Sequence, residues 1–85
     1  MLVRWNSAKN LEIQQRRDVS FEEVLDAEIL DVIPHFNPEK YPNQKLLIIR
    51  LRGYVYYVPF VEEDDGYFFL KNIIPSRKFN AIYNS

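Results

Sequence analysis

Two strand-forming segments joined by one glycine dominate the middle of this 85-residue chain. In residues 45–52, positions 47, 49 and 51 fall on one side of an extended strand, and positions 46, 48, 50 and 52 fall on the other. Residues 54–61 are rich in Tyr, Val and Phe, which strands favour. Since Gly53 leaves room only for a tight turn, the two segments predict an antiparallel hairpin around which any fold must be built.

The chain after this hairpin predicts one more long strand. Residues 62–66, with the sequence Glu-Glu-Asp-Asp-Gly, are typical of a second hairpin turn leading into a strand over residues 67–74. Pro75 is predicted to end that strand, and Ser76 is predicted to cap a final helix or tail over residues 77–83. Pro59 cannot donate a backbone hydrogen bond, which indicates a sheet edge or a bulge at its position.

The chain before the hairpin predicts two helices after a short edge strand over residues 2–5. Asn6 or Ser7 is expected to cap a helix that runs through Arg17. Ser20 and Glu23 have the spacing of a capping box, which predicts a second helix over residues 21–30. Three positions are predicted on the inner face of the first helix: Ala8, Leu11 and Gln15. A further strand is predicted over residues 31–36, and a loop rich in Pro and Asn over residues 35–44.

These elements predict an α+β fold. Two N-terminal helices are expected to pack on one face of an antiparallel β-meander, followed by the short C-terminal helix or tail. Hydrophobic residues make up 47% of the chain, which is enough for one compact core. We therefore expect a single domain over residues 1–85.

Several classes of protein are excluded by what the sequence lacks. Without cysteine, the chain has no disulfide scaffold, thiolate zinc site or cysteine nucleophile. No apolar run approaches the roughly 20 residues that cross a bilayer, and no long apolar signal segment is present, so we expect a cytoplasmic protein without a membrane partner. Only two glycines are present, too few for a glycine-rich phosphate loop, and no cofactor or metal is expected.

Charge is arranged in blocks although the net charge is only −1. Residues 18–39 contain seven acidic side chains and no Lys or Arg, whereas residues 40–61 contain four cations and no acid. Such blocks allow a basic surface and an acidic surface to coexist on one small protein. The alternative is that each block is an ordinary solvated face of a helix or a turn.

His35 is the only histidine, and histidine is the side chain that exchanges protons most readily near neutral pH. It lies in the predicted polar loop and is a candidate general base. Since no second catalytic group can be placed beside it from sequence, a loop-stabilising role is the alternative.

Cations cluster where the last predicted strand ends. Arg77 and Lys78 follow Ser76 there, and Arg is well suited to phosphate because its planar fork binds two oxygens at once. Other cations are expected to join them on a phosphate-binding surface: Lys9, Arg16, Arg17, Arg50 and Arg52. Three aromatic side chains are available for stacking on bases: Tyr41, Tyr56 and Tyr83. The residues alone indicate a nucleic-acid or anion surface, or else only the polar face that any exposed sheet needs.

Both ends and the middle of this sequence resemble bacterial toxins. Trp5-Asn6 with Lys9, followed by the sequence Arg-Arg-Asp-Val-Ser-Phe-Glu-Glu at residues 16–23, resembles the amino-terminal pattern of BrnT-type toxins. The sequence Ile-Ile-Pro-Ser-Arg-Lys at residues 73–78 is similar to the end of that family's pattern. Residues 37–45 and 54–62 resemble a related group of short toxins from toxin–antitoxin pairs.

The resemblance implies a RelE-like microbial ribonuclease fold and RNA cleavage without metal. In that reaction a ribose 2′-OH attacks the adjacent phosphate, a base accepts its proton, and cations stabilise the developing charge. By motif position, Arg77 would stabilise the phosphate, and Lys9, Arg16, Arg17 and Lys78 would bind substrate. His35 and Tyr83, which match no motif of the family, are the candidates for proton transfer. Arg17 stands where the family has His, and Arg is a poor base near neutral pH.

The resemblance also implies partners. The protein would be one half of a type II toxin–antitoxin pair, held inactive in a hetero-oligomer by a DNA-binding protein antitoxin, with RNA as its substrate. The alternative is a non-catalytic RNA- or protein-binding module, such as an inactive toxin that acts as a repressor subunit.

Overall fold

The predicted central hairpin forms the middle of a mixed sheet. The computed structural model describes residues 1–84, which contain six strands and three short helices. In chain order the elements are β1 (Val3–Trp5), α1 (Ser7–Arg17), α2 (Phe21–Val24), β2 (Glu28–Pro34), β3 (Gln44–Leu51), β4 (Tyr54–Glu62), β5 (Phe68–Leu70), β6 (Ile74–Pro75) and α3 (Arg77–Tyr83). The α+β class is confirmed.

The sheet has the strand order β1-β5-β4-β3-β2, and the short β6 pairs with β4 beside β5. β3 and β4 pair antiparallel from Gln44 opposite Val61 to Leu51 opposite Tyr54, as the hairpin prediction requires. β1 pairs with β5 in parallel, with Val3 opposite Phe68. The prediction of a purely antiparallel meander is therefore wrong, because the N-terminal strand returns to the sheet beside β5 rather than beside its sequence neighbours.

α1 begins and ends where the sequence predicts. The Oδ1 of Asn6 accepts a hydrogen bond from the Lys9 N–H at 2.9 Å, and Asp18 ends the helix in the left-handed conformation at φ 57°. Its inner face differs from the prediction, because the buried positions are Asn10 and Ile13. All three positions predicted to face inward are exposed: Ala8, Leu11 and Gln15. None of the described helices is long and apolar enough to span a membrane.

α2 is shorter than the capping box predicts. The Ser20 N–H donates to Glu23 Oε2 at 2.8 Å, so the box is formed, but the helix ends at Val24 instead of reaching residue 30. Glu28–Pro34 pairs with β3 as strand β2, from Glu28 opposite Arg50 to Pro34 opposite Lys45. Backbone pairing with β3 has overridden the local helical pattern in this segment.

The third long strand predicted over residues 67–74 is interrupted. β5 ends at Leu70, the Lys71 N–H donates to the Pro59 carbonyl at 2.7 Å, and pairing resumes at β6 with Ile74 opposite Tyr57. The nitrogen and carbonyl of one residue point to the same side of a strand. The Pro59 nitrogen, which carries no hydrogen, therefore faces this interruption. The prediction of an edge or a bulge at Pro59 is wrong, because β4 lies inside the sheet and pairs with β3 without a shift in register; the interruption falls on the neighbouring segment instead.

The two N-terminal helices pack on one face of the sheet, as predicted, and α3 covers the other face. On the first face α1 and α2 pack with one group of buried side chains: Ile13, Val19, Phe21, Val24, Leu47, Ile49, Val58, Phe60, Leu70 and Ile73. On the second face Leu46, Ile48 and Val55 are buried, and Phe79 and Tyr83 of α3 pack against them. The alternation predicted for residues 45–52 is confirmed for residues 46–51, whose two sides face two different cores, and it fails at Arg52.

An ion-pair cluster fastens β1 to the acidic turn after β4. The Arg4 guanidinium lies 2.8 Å from a carboxylate oxygen of both Glu63 and Asp65, and its Cζ lies 3.8 Å from the centre of the Tyr67 ring. The hydrogen bond from Arg4 holds the pKa of Asp65 below its ordinary value. An aspartate with a lowered pKa stabilises the fold above its unfolded-state pKa of about 4 and loses this effect as the pH falls further.

We therefore expect Asp65→Asn to lower the melting temperature at pH 7 and to have little effect near pH 2, where the wild-type carboxyl is also protonated. Thermal unfolding followed by circular dichroism from pH 2 to 7 measures this difference. Asp64→Asn is the matched control, because Asp64 forms no ion pair within residues 1–84. Equal pH profiles for the two variants would contradict the role of Asp65.

Candidate nucleic-acid interface

A groove opens where β2 ends and the loop over residues 35–43 begins. Its smaller lobe, of about 280 Å³, lies on the sheet face that α3 covers. We call this lobe the His35 groove, and its lining includes His35, Phe36, Tyr41, Tyr57, Lys71 and Asn72. A larger lobe of about 620 Å³ shares His35 and Tyr41 and continues toward Lys45 and the acidic turn. Both volumes are close to the range of about 300–1,000 Å³ that is common for ligand sites.

His35 is buried in this groove and retains one nitrogen for a ligand. Its Nδ1 accepts a hydrogen bond from the Asn37 N–H at 3.0 Å, so the proton of the neutral ring is assigned to Nε2. Nε2 makes no hydrogen bond within residues 1–84, and no buried side-chain nitrogen or oxygen there lacks a partner, so Nε2 contacts solvent. In this tautomer His35 offers a hydrogen-bond donor, and the general-base role would require the proton to move to Nδ1.

A continuous row of rings runs from the loop across the second sheet face. His35 lies 4.5 Å from Tyr41 and 4.8 Å from Phe36, measured between ring centres. Phe36 lies 5.5 Å from Tyr57, which in turn lies 6.2 Å from Phe79 of α3. Phe36 is 63% exposed although it belongs to this row. An exposed aromatic ring supported by others provides a surface on which a planar ligand can stack.

Three side chains supply hydrogen-bond donors to the His35 groove: His35, Tyr57 and Lys71. Burial raises the pKa of the Tyr57 phenol, an effect that the charge of Arg17 partly opposes, so this hydroxyl remains protonated at neutral pH. The Lys71 ammonium lies 4.9 Å from the centre of the Phe69 ring and forms no ion pair within residues 1–84. No described residue lining the groove is acidic. The groove therefore suits a ligand that carries negative charge and hydrogen-bond acceptors.

Arg17 holds one wall of the groove in place from the end of α1. Its Nη1 donates to Asn72 Oδ1 and to the Ile73 carbonyl, both at 3.0 Å. Asn72 lines the groove. Arg17, which the sequence predicts to bind substrate, therefore stabilises the chain segment that forms one wall of the groove. Since Arg17 also affects the titration of Tyr57, its charge reaches into the groove.

Arg77 and Lys78 begin α3 just after this wall. Ser76 caps the helix, with its Oγ accepting from the Phe79 N–H at 3.0 Å, as predicted. Both cations are exposed, and neither forms an ion pair or a side-chain hydrogen bond within residues 1–84. They are therefore free to bind a phosphate.

Arg50 and Arg52 do not point from one face, contrary to the prediction. Arg50 binds Glu28 and the Tyr83 carbonyl on the α3 side. Arg52 lies in the turn after β3 at φ 52°, which removes it from the strand's alternation, and its guanidinium binds Glu23 and the Asp18 carbonyl on the side of α1 and α2. Both cations already hold elements of the fold together.

The remaining predicted site residues lie outside the His35 groove. The Tyr83 hydroxyl donates to Asp31 Oδ2 at 3.1 Å. Burial, and to a smaller extent this hydrogen bond, raises the pKa of the phenol. On α1, Glu12 lies 3.7 Å from the Lys9 ammonium and 3.1 Å from the Arg16 guanidinium. The structure thus places His35 in the groove and Arg17 against its wall, and does not bring Tyr83 to either.

Three side chains of the groove escape prediction from the sequence: Phe36, Tyr57 and Lys71. Tyr56 is predicted to stack on bases, but it packs against the core under α1 and α2, on the other face of the sheet. Strand alternation separates Tyr56 from Tyr57, yet it does not reveal which of the two faces carries a groove. Nothing in the sequence indicates that Lys71 lies in the His35 groove, because only the interruption between β5 and β6 brings its side chain there.

In the described part of the chain, no group of three or more His, Asp or Glu side chains is arranged to hold a metal ion. Comparison with protein-family models, curated proteins and solved structures found no match for this chain.

Proposed function

We propose that this protein binds single-stranded RNA in the His35 groove and acts as the toxin of a type II toxin–antitoxin pair. The observation that carries the proposal is the row of rings, in which Phe36 is exposed, beside unpaired cations. Proteins that bind single strands commonly combine aromatic side chains, on which bases stack, with cations that follow the phosphates. Here Phe36, Tyr41 and Tyr57 would receive bases, and Lys71 would bind the backbone.

A single strand fits the groove better than a duplex. Bases in a duplex are stacked on one another, so their faces are not available to Phe36 or Tyr57. The donors of His35 and Tyr57 lie among these rings, where they would meet the acceptor groups of an unpaired base or a nearby phosphate. The strand would continue past Asn72 toward Arg77 and Lys78.

The RelE-like ribonuclease fold and RNA cleavage form the second part of the proposal. The N-terminal helices, the sheet and the motif ending in Arg77-Lys78 support it. In cleavage the 2′-oxygen forms a bond to phosphorus, the 5′-oxygen leaves, and a proton passes from the 2′-OH to a base and from an acid to the leaving oxygen. Arg77 and Lys71 would stabilise the charge on the phosphate, and His35 would act as base after its proton moves to Nδ1.

The hydrogen bond from Asn37 to His35 favours a second candidate function. Since it disfavours the tautomer that a base at Nε2 requires, the groove as it stands supplies donors for binding. A non-catalytic RNA-binding protein, neutralised or used as a repressor subunit by its antitoxin partner, fits this arrangement equally well.

The two candidates separate in one experiment. Purified protein is mixed with a fluorescein-labelled single-stranded RNA and with the matching duplex, and binding is followed by anisotropy while the RNA is analysed on a gel. We expect preferential binding of the single strand. Cleavage that Arg77→Ala abolishes supports the toxin ribonuclease, whereas binding without cleavage supports the second candidate. Equal or absent binding of both RNAs would refute RNA recognition in the groove.

Lys71→Ala is expected to weaken RNA binding and to reduce the slope of log affinity against log salt by about 0.7, the contribution of one phosphate contact on a single strand. Anisotropy titrations at several salt concentrations measure the slope. Lys9→Ala is the matched control, since the Lys9 ammonium lies near Glu12 on α1. An unchanged slope in Lys71→Ala would show that Lys71 does not contact the backbone.

A further inference from the structure

An apolar groove lies on the sheet face opposite the His35 groove. Its volume is about 340 Å³, and it is lined by Met1, Leu2, Ile29, Val32, Leu47 and Phe68. Leu47 and Phe68 belong to the core under α1 and α2, so the groove is a part of that face which the two helices leave open. Met1, Leu2, Ile29 and Val32 are between 47% and 59% exposed. We call this site the apolar groove.

The lining favours a protein segment over a small molecule. Every side chain of the apolar groove is apolar, and Gly66 completes the lining. Sites for small molecules carry a few placed polar groups that fix orientation, and no side chain of this lining supplies one. Contiguous exposed apolar surface on a small soluble domain is characteristic of contacts with other proteins.

The edge of β2 beside the groove does not favour an added strand. Asp31 Oδ1 accepts the Val32 N–H at 2.8 Å, which occupies a backbone donor that an incoming strand would need. The pairing of β2 with β3 shifts between Ile29 and Asp31, and β2 ends at Pro34, which has no N–H. Bulges, prolines and inserted charges are the means by which sheet edges avoid pairing. A helix laid along the groove by its apolar face meets none of these obstacles.

The surroundings of the groove select a basic helix. Gly66 of the lining belongs to the acidic turn over residues 62–66, which holds four carboxylates and no cation. Arg4, which lies next to the N-terminal wall, is neutralised by Glu63 and Asp65. Residues 18–39, which include β2, contain no Lys or Arg. Lys or Arg residues beside the apolar anchors of a partner would find opposite charge here.

We propose that the apolar groove binds a basic amphipathic helix of a partner protein. A second copy of this chain fits poorly, because a symmetric contact would place the groove against the same groove and the same acidic segment. The proposal does not depend on RNA binding, since the two grooves open on opposite faces of the sheet. Within the toxin–antitoxin proposal, the antitoxin would be the source of this helix.

The test uses the full chain labelled with ¹⁵N and a synthetic helix with Leu on one face and Lys on the other. Two-dimensional NMR spectra are recorded as the peptide is added. We expect shifts at Ile29, Val32 and Phe68, and binding at least about tenfold weaker for a matched peptide carrying Glu in place of Lys. Shifts confined to the His35 groove, equal binding of both peptides, or no binding would overturn the proposal.

Val32→Lys places an equal charge among the apolar anchors and is expected to weaken binding of the Leu/Lys peptide by at least about tenfold, or about 1.4 kcal/mol. Leu11→Lys on α1, another exposed apolar position, should leave peptide binding unchanged. Dispersed NMR spectra and wild-type RNA affinity would show that Val32→Lys is folded and that the His35 groove is intact. A concentration-dependent sedimentation coefficient that Val32→Lys abolishes would identify a second copy as the occupant and overturn the proposal.

Discussion

Replacing Phe21 by Ala is expected to lower the free energy of unfolding by about 3–5 kcal/mol. Phe21 is fully buried at the start of α2, its ring centre lies 5.7 Å from that of Trp5, and its N–H donates to Asn10 Oδ1 at 2.8 Å. The Phe21 side chain therefore packs with Trp5 of β1, and its backbone N–H, which Ala would keep, joins α2 to α1. Domains of this size have stabilities of about 5–15 kcal/mol, so the variant would lie close to unfolding. Urea titration followed by Trp5 fluorescence measures the change.

Leu25→Ala is the matched control for this prediction. Leu25 follows α2 directly and is 49% exposed, so its truncation should cost less than about 1 kcal/mol. A similar small loss in both variants would show that the core does not depend on Phe21. A large loss in Phe21→Ala with an unchanged slope against urea locates the effect in the folded state.

The parts of the fold that follow from sequence are those fixed by neighbouring residues. The hairpin of β3 and β4 needs only Gly53 and the alternation on either side of it. α1 is similarly local, since Asn6 at its start and the left-handed Asp18 at its end lie within the helix or next to it. Such features can be predicted because both partners of each contact lie within a few residues.

The second helix shows where local patterns fail. Its capping box forms, yet Glu28–Pro34 becomes a strand because β3 offers a full ladder of backbone hydrogen bonds. The inner face of α1 differs from its prediction for a related reason. Asn10 turns inward because its side chain binds both the Phe21 N–H and the Glu22 carboxylate, and this hydrogen bond lowers the pKa of Glu22. Polar contacts between distant elements leave no periodic signal in the sequence.

The candidate site was less predictable than the fold. His35 could be chosen because histidine is chemically distinctive and occurs once. The groove around it, however, is assembled from β2, β4 and the interruption after β5, so Tyr57 and Lys71 reach it only through strand order. Arg50 and Arg52 illustrate the opposite error. Their spacing indicates a shared face, but the left-handed conformation of Arg52 places the two guanidiniums on opposite sides of the sheet.

Arg17 connects helix α1, on the first face of the sheet, with the wall of the His35 groove. It projects from α1 on the first face, yet its contacts with Asn72 and Ile73 fix the wall of a groove on the second. If RNA binds as proposed, the loss of Arg17 would loosen the wall and remove positive charge at once. Replacing Arg17 would change the structure of the groove and its charge together, so it cannot test either effect alone. Phe36, the most exposed ring of the row, is the better position for a test of RNA binding.

Phe36→Ala is expected to weaken binding of single-stranded RNA by about 5- to 150-fold, which corresponds to the roughly 1–3 kcal/mol lost when one base loses its stacking partner. Phe36 is 63% exposed, so truncating it removes a stacking surface while leaving the cores in place. Anisotropy with labelled RNA measures the affinity, and thermal unfolding shows whether stability is preserved. Phe36→Trp, which keeps a ring at the position, should retain most of the affinity.

The control is Leu11→Ala, which truncates another exposed apolar side chain, 55% accessible, on α1. It should leave RNA binding unchanged, because α1 packs on the face opposite the ring row. If Phe36→Ala binds RNA as tightly as the wild type, bases do not stack on this ring, and any RNA contact must come from other groups, such as Lys71 or the basic residues at the start of α3. If Leu11→Ala weakens binding equally, the loss reflects stability and not recognition. A selective loss in Phe36→Ala, rescued by Trp, would therefore assign RNA stacking to this ring.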